Sequence, residues 1–172
     1  MRTIVFAFSA LALLPLTACG SSESNNETTS QAPAAPALAI GETGKANGVD
    51  VAVTSVKSTN QVADPSAVPL AGPDETYVVV KYTIKNTGGA PLEVQNRPAI
   101  DLLDANGQSY AKDDIATGVA GAMLDAQGMA NDINPGVTVK AAAVWKVAKQ
   151  GFDLGTWKVV VRTDPALEFK LK

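Results

Sequence analysis

The stretch Tyr77-Val-Val-Val-Lys-Tyr-Thr-Ile-Lys85 alternates apolar and polar side chains over most of its length. Because successive side chains of a β-strand point to opposite sides of a sheet, alternate positions belong to one face. One face carries Val78, Val80, Tyr82 and Ile84, and the other carries Lys81, Thr83 and Lys85. This pattern predicts a strand with one face in the core and one in water. The turn-forming residues Asn86-Thr-Gly-Gly89 predict the end of the strand.

Comparable strand patterns lie on both sides of this stretch. They cover residues 49–54, 98–104, 108–110, 137–140, 143–147, 156–162 and 167–172. Asn106-Gly107 separates two of them and is typical of a type I′ hairpin, in which both central residues need a positive φ. Asn134-Pro135-Gly136 predicts a further turn. About seven to nine strands and no convincing long helix predict an all-β, antiparallel sandwich or barrel.

The core has to stabilise this domain without a disulfide, because the chain contains a single cysteine. Each large apolar side chain that is buried contributes roughly 1.5–3 kcal/mol. Trp145 and Trp157 both fall on the apolar face of a predicted strand. We therefore expect both indoles to lie in the core rather than to form a platform for a ligand.

The amino-terminal residues have the pattern of a secretory signal. Met1-Arg2 provides a positive start, and the apolar run over residues 4–14 is too short to span a bilayer, which needs about 20 residues. The run ends in Leu16-Thr-Ala-Cys19, which resembles the lipobox of bacterial lipoproteins. This resemblance implies cleavage between Ala18 and Cys19 and attachment of diacylglycerol to the Cys19 thiol. We expect an extracytoplasmic protein held at the cell membrane or outer membrane by covalent lipid.

The composition changes twice along the chain and predicts three parts. Residues 1–18 form the signal peptide. Residues 19–46 comprise the lipidated cysteine and a segment rich in Ser, Asn, Thr, Ala and Pro, which has too few large apolar side chains to fold alone and is predicted to be a disordered tether. Residues 47–172 carry the strand patterns and are predicted to form the folded domain.

The order of the segments resembles a known family. The segments are 49–57 (VDVAVTSVK), 77–88 (YVVVKYTIKNTG), 100–107 (IDLLDANG), 133–136 (INPG) and the aromatic strand at Trp145. Together they resemble the telokin-like, immunoglobulin-fold domain of unknown function that is common in bacterial lipoproteins. The resemblance covers nearly all of residues 48–172 and implies an immunoglobulin-like sandwich at the cell surface. It implies no catalytic residues.

Composition argues against several functions. The chain has no histidine, so the commonest general base and the commonest ligand of zinc, copper and iron are missing. The net charge of −3 and the lack of clustered Lys and Arg disfavour nucleic-acid binding. We expect a non-catalytic interaction or accessory module without a cofactor, whose partners are the membrane, through the lipid, and envelope or extracellular proteins.

Residues 111–130 have no clear period and are predicted to form a long loop with at most a short helical turn. Long loops are often functional, so a partner-binding surface is sought here first. The apolar residues of the segment are Ile115, Val119, Met123, Leu124 and Met129. They either contact a partner or cover one open end of the sandwich.

Two alternative functions depend on acidic residues. An oxygen-rich set consisting of Asp101, Asp104, Asn106, Asp113 and Asp114 would suit a loose calcium site, since calcium takes six to eight oxygen ligands. This alternative makes the protein a carrier of calcium or of another small ligand. Asp113, Asp114 and Asp132 are the candidates for a hydrolase, which needs two carboxylates facing each other across a cleft.

Overall fold

A computed structural model describes residues 36–172, in which eight strands form two antiparallel sheets and one helix packs against them. The elements are β1 (Thr43–Ala46), β2 (Val49–Thr59), β3 (Glu75–Asn86), β4 (Ile100–Leu103), β5 (Ser109–Tyr110), α1 (Asp114–Ala130), β6 (Thr138–Ala148), β7 (Lys158–Val161) and β8 (Leu167–Lys170), with a 3₁₀ turn at Val94–Asn96. The first sheet has the order β1-β2-β3-β6 and the second has the order β5-β4-β7-β8. The predicted β-sandwich is confirmed.

Strand β3 lies inside the first sheet, between β2 and β6. Val78, Val80 and Ile84 are buried on one face, as the alternation predicts. The opposite face is solvated only in part, because Tyr77 and Val79 are also buried there. They pack with apolar side chains of α1 and of the chain between β2 and β3. This sheet therefore contributes to two hydrophobic clusters, one on each face.

The larger cluster fills the space between the two sheets. Its largest fully buried side chains include Trp145, Phe169, Ile100 and Leu102. Trp145 is 0% exposed and Trp157 is 5% exposed, so the predicted core position of both indoles is confirmed.

The hairpin between β4 and β5 occurs where it was predicted, but its turn is displaced by one residue. Gly107 N–H donates to the carbonyl of Asp104 over 3.0 Å, so Ala105 and Asn106 are the central residues of the turn. Gly107 follows them with φ of 80°, a conformation that glycine adopts without strain. A type I turn followed by a glycine of positive φ is a common alternative to the type I′ turn in hairpins.

The prediction of a loop over residues 111–130 is wrong, because most of this segment is α1. The buried side of α1 consists of Ala116, Ala120 and Gly121, which recur at helical spacing. A helix whose buried side chains are this small has no stripe of large apolar residues for a periodicity search to detect. Asp113 is the N-cap of the helix, since its side chain accepts a hydrogen bond from Ala116 N–H over 2.9 Å.

The predicted tether extends too far, because folded structure begins before residue 47. Leu38 pairs with Phe169 beside β8, and β1 pairs with β2. The chain thus contacts the second sheet first and then joins the first sheet. β1 reads Thr-Gly-Lys-Ala and lacks the branched apolar residues that mark a strand. Gly44 allows close packing, since a Cβ atom there would lie 2.7 Å from Leu38 Cδ1 and 2.8 Å from Leu167 Cδ1, and these side chains would have to move.

Candidate functional site

Helix α1 covers the outer face of the first sheet and the free edge of β6. Its small residues Ala116 and Ala120 pack against Tyr77, Val79 and Val144 of the sheet in the second hydrophobic cluster. Small side chains let the helix backbone approach the strands closely. Within residues 36–172, no helix is both long and apolar enough to cross a membrane.

Polar groups of α1 satisfy the unpaired backbone of β6. Asp113 N–H donates to the carbonyl of Val144 over 2.8 Å, and Val144 N–H donates to Thr117 Oγ1 over 3.0 Å. Farther along, Lys140 N–H donates to the carboxylate of Asp125 over 3.4 Å. An uncovered edge strand would invite pairing with another chain. The helix therefore blocks addition of a strand along this part of β6.

The second half of α1 is fixed separately. Asp125 has non-helical angles (φ −162°, ψ 79°) and forms a kink within α1. Its carboxylate accepts a hydrogen bond from Gly128 N–H over 2.7 Å and so caps the start of the second helical part. At the far end the guanidinium of Arg97 donates to the carbonyls of Gly128 and Asn131. A cation at the carboxyl end also interacts favourably with the helix dipole. The roles of Arg97, Thr117 and Asp125 could not be predicted from the sequence, because nothing in their local pattern marks them.

The structure separates the five apolar residues proposed for partner binding. Ile115 and Met123 are each 69% exposed. Val119 and Leu124 are partly buried and pack against the second cluster, and the side chain of Met129 lies over Gly121. The alternative prediction, that these residues cover an open end of the sandwich, is also wrong, because α1 covers a sheet face and the edge of β6.

The exposed side of α1 has little polar character. No charged residue lies between Asp114 and Asp125, and the exposed residues in that interval are Ile115, Gly118, Ala122 and Met123. A helix on the surface of a globular protein normally presents charged or polar side chains to water. We call these four residues the outer face of α1.

A groove runs beside this face. One part, of about 180 Å³, is lined by Val62, Val79, Lys81, Ala120, Met123 and Leu124. A second part, of about 210 Å³, shares Lys81 and Leu124 and adds Tyr82 and Lys140. The side chain of Tyr82 packs against the larger cluster, where burial raises its pKa and the positive charge of Arg97 opposes that rise. The two parts of the groove are lined mainly by apolar surface, with Lys81 and Lys140 among the lining residues.

Of the acidic residues proposed for calcium or hydrolysis, Asp114 is exposed in the first turn of α1, and the other four make separate structural contacts. Asp101 pairs with Arg162, and Asp104 accepts hydrogen bonds from two backbone N–H groups of its own turn. Asp113 caps α1, and Asp132 accepts from Val94 N–H over 3.1 Å. In the described part of the chain, no three His, Cys, Asp or Glu side chains come together in a group that could hold a metal ion.

The residues proposed for lipid attachment and signal cleavage, Cys19 and Ala18, lie outside the described residues, as do the whole predicted signal peptide and most of the predicted tether. Their assignment stays a prediction from the sequence.

Two antiparallel sheets around a shared core, with a helix on the outer face of one sheet, define a β-sandwich domain. The chain belongs to the family described as Domain of unknown function (DUF4352), which matches residues 38–154. The match begins at Leu38, the residue that pairs with Phe169. The family boundary therefore agrees with the earlier start of the folded domain.

The chain is similar to proteins from three bacteria. The chain is 32% identical over 133 residues to the uncharacterized protein YxkC of Bacillus subtilis (strain 168), covering 76% of this chain and 74% of that protein. A crystal structure of a conserved hypothetical protein from Bacillus anthracis is similar with a TM-score of 0.65 at 22% identity, over 78% of this chain and 95% of that one. An uncharacterized β-sandwich protein from Clostridium difficile 630 gives a TM-score of 0.52 at 13% identity, over 80% and 95%. These structures support the fold.

Proposed function

We propose that the protein is a surface-anchored lipoprotein whose sandwich is a non-catalytic module that binds an envelope or extracellular protein through the outer face of α1. The observation that carries this proposal is the exposure of Ile115 and Met123 on a helical surface without charged residues. Apolar surface of this kind is typical of interaction sites when it is contiguous and bordered by polar groups. Asp114 and Asp125 border it along the sequence.

The position of the face also favours a role in binding. α1 is held by its cap at Asp113, by Thr117 against β6 and by Arg97 at its end. A binding surface on a fixed element loses little conformational entropy when a partner docks. Val119 and Leu124 secure the buried side, so the exposed side chains are presented on a rigid support.

The anchoring part of the proposal depends on the sequence alone. Leu16-Thr-Ala-Cys19 follows a short apolar run after a positive start, and Cys19 is the single cysteine. Metabolic labelling with palmitate tests it: the wild type incorporates label, and the Cys19→Ala variant does not. Equal labelling of the two proteins would overturn the assignment of Cys19.

The non-catalytic part rests on composition and on contacts. The chain contains no histidine, and Asp113 and Asp132 are each engaged by backbone N–H groups. A pair of free carboxylates facing a cleft, which the hydrolase alternative requires, finds no support in these contacts.

The partner surface is tested by charge substitution. We expect the double variant Ile115→Glu/Met123→Glu to lose a protein that the wild type retains when it is purified from its own cells after mild crosslinking. Burying two unpaired carboxylates in an apolar interface is strongly unfavourable. Leu70→Glu is the matched control, because Leu70 is an apolar residue outside α1 that is 52% exposed. Retention of the same protein by the double variant, with an unchanged circular dichroism spectrum, would contradict the proposal.

A further inference from the structure

A second concave site lies where two loops meet at one end of the sandwich. It has a volume of about 230 Å³, and its lining includes Asp104, Asn106, Tyr110, Gln150, Thr156 and Trp157. One wall is the β4–β5 hairpin, and the other is the connection from β6 to β7. Pockets for drug-sized ligands measure roughly 300–1,000 Å³, so this site has room for about one ring.

The hairpin wall is fixed before any ligand arrives. Asp104 Oδ1 accepts hydrogen bonds from the N–H groups of Asn106 and Gln108, over 2.8 and 2.9 Å. These bonds hold the tip of the hairpin in one conformation. A preformed wall lowers the entropic cost of binding.

The wall from the β6–β7 connection is fixed in the same way. Trp157 Nε1 donates to the carbonyl of Gly151 over 3.1 Å, and Asp153 accepts from Gly155 N–H over 2.8 Å. Phe152 packs edge-on against Trp157, with a centroid distance of 5.0 Å. The loop thus encloses its own aromatic residue and cannot collapse into the pocket without breaking these contacts.

The pocket combines an aromatic surface with unused hydrogen-bonding groups. Tyr110 stacks on Trp157 at a centroid distance of 4.7 Å and is itself only partly buried. Within the described residues, the Tyr110 hydroxyl and the side-chain amides of Asn106 and Gln150 make no hydrogen bond. Each amide offers both donors and an acceptor, as does the hydroxyl group of a ligand.

We propose that this pocket binds one pyranose ring of a saccharide. The apolar surface of Tyr110 fits the C–H groups of such a ring, and the amides of Asn106 and Gln150 match its hydroxyls in both directions. The lining contains one carboxylate and no Lys or Arg, which disfavours phosphate and other anions. A simple cation would leave the amide N–H donors without acceptors.

The pocket and the first described residue lie at opposite ends of the second sheet. Lys158 pairs with Lys170 at the pocket end of the second sheet, and Val161 pairs with Leu167 at the other end. Pro36, the first described residue, lies beside Ala166 and Leu167. The pocket therefore opens at the end of this sheet that lies away from the point where the chain enters the domain. The inference needs neither the lipid anchor nor the outer face of α1.

Binding can be measured on the full-length chain, purified in a detergent without a sugar headgroup. The probes are glucose, N-acetylglucosamine and the N-acetylglucosamine tetramer, with sorbitol as an open-chain polyol that lacks a ring. Trp157 lines the pocket and Trp145 does not, so a change in tryptophan fluorescence on binding reports mainly on Trp157. We expect saturable binding of at least one pyranose and none of sorbitol. Tighter binding of the tetramer than of the monomer would indicate a polymeric glycan, and equal binding a free sugar.

Gln150→Ala should raise the Kd of the bound sugar about fivefold to tenfold, the loss expected for one hydrogen bond. Tyr110→Phe, which keeps the ring, should weaken binding less. Gln61→Ala is the matched control, because Gln61 is exposed and outside the pocket. Absence of saturation with all three sugars, equal binding of sorbitol, or an unchanged Kd in folded Gln150→Ala would overturn the proposal.

Discussion

At the scale of single residues, Asn86 links three parts of the chain from a position where it is only 2% exposed. Its Nδ2 donates to the carbonyls of Ala90 and Ile133, over 2.8 and 2.7 Å, and its Oδ1 accepts from Gly88 N–H over 2.8 Å. A buried amide is favourable only when its groups are paired, and here each end is. This residue was predicted only as part of a turn; its long-range bond to Ile133 has no local signal.

Asn86→Ala should therefore lower the free energy of unfolding by about 3 kcal/mol, since the three hydrogen bonds of this buried side chain are lost. Urea denaturation of the folded domain measures this change. Asn96→Ala is the control, because Asn96 is exposed and bonds only to Glu93 through its side chain. It should change stability by less than about 0.5 kcal/mol. A similar effect of both substitutions would contradict the role assigned to Asn86.

The two tryptophans differ in the hydrogen bonding of the indole N–H, and a matched pair of variants can measure the effect. The indole N–H of Trp157 is bonded to Gly151, whereas that of Trp145 is buried without a partner among residues 36–172. Replacing Trp145 with Phe removes a costly unpaired donor, and replacing Trp157 with Phe removes a hydrogen bond. We expect Trp157→Phe to destabilise the domain by about 1 kcal/mol more than Trp145→Phe. The reverse order in thermal or urea denaturation would show that packing outweighs the hydrogen bond.

At the scale of elements, the strands could be predicted because branched and aromatic residues alternate along them, as Val78, Val80 and Ile84 do in β3. Helix α1 could not be predicted in this way. Its contact with β6 uses Ala116 and Ala120, and its anchoring groups Thr117 and Arg97 act on distant backbone. Small buried residues and long-range polar contacts leave no periodic apolar pattern.

Thr117→Val tests whether α1 protects the edge of β6. The substitution keeps the shape of the side chain but removes the oxygen that accepts from Val144 N–H over 3.0 Å. An unpaired backbone donor costs about 1–3 kcal/mol, so stability should fall by that amount. Hydrogen exchange at Val144 should accelerate, while exchange at Val79 on β3 stays slow. Unchanged exchange at Val144 would show that the helix covers the edge without bonding to it.

At the scale of the whole molecule, the segment before β2 holds the two sheets together. Leu38 pairs with Phe169 of the second sheet, and β1 pairs with β2 of the first. The sequence interpretation assigned this segment to a tether because its residues are small or polar. No disulfide can link the two sheets instead, since the chain contains a single cysteine.

A domain that starts at residue 47 should accordingly be less stable than one that starts at residue 36. The shorter chain lacks the packing of Leu38 and the hydrogen bonds of β1. We expect a loss of about 2–4 kcal/mol in urea denaturation. Leu38→Ala in the longer chain should reproduce part of it. Equal free energies of unfolding for the two chains would mean that residues 36–46 pack on the domain without stabilising it.

The outer face of α1 as a binding surface is the central claim for the molecule, and photocrosslinking in living cells tests it most directly. A photoreactive amino acid is placed singly at position 115, 123 or 70, the last being the exposed apolar control outside α1. The claim predicts one adduct of the same size from positions 115 and 123, and none from position 70. An adduct pattern that is the same at all three positions, or no adduct from the two helix positions, would contradict it.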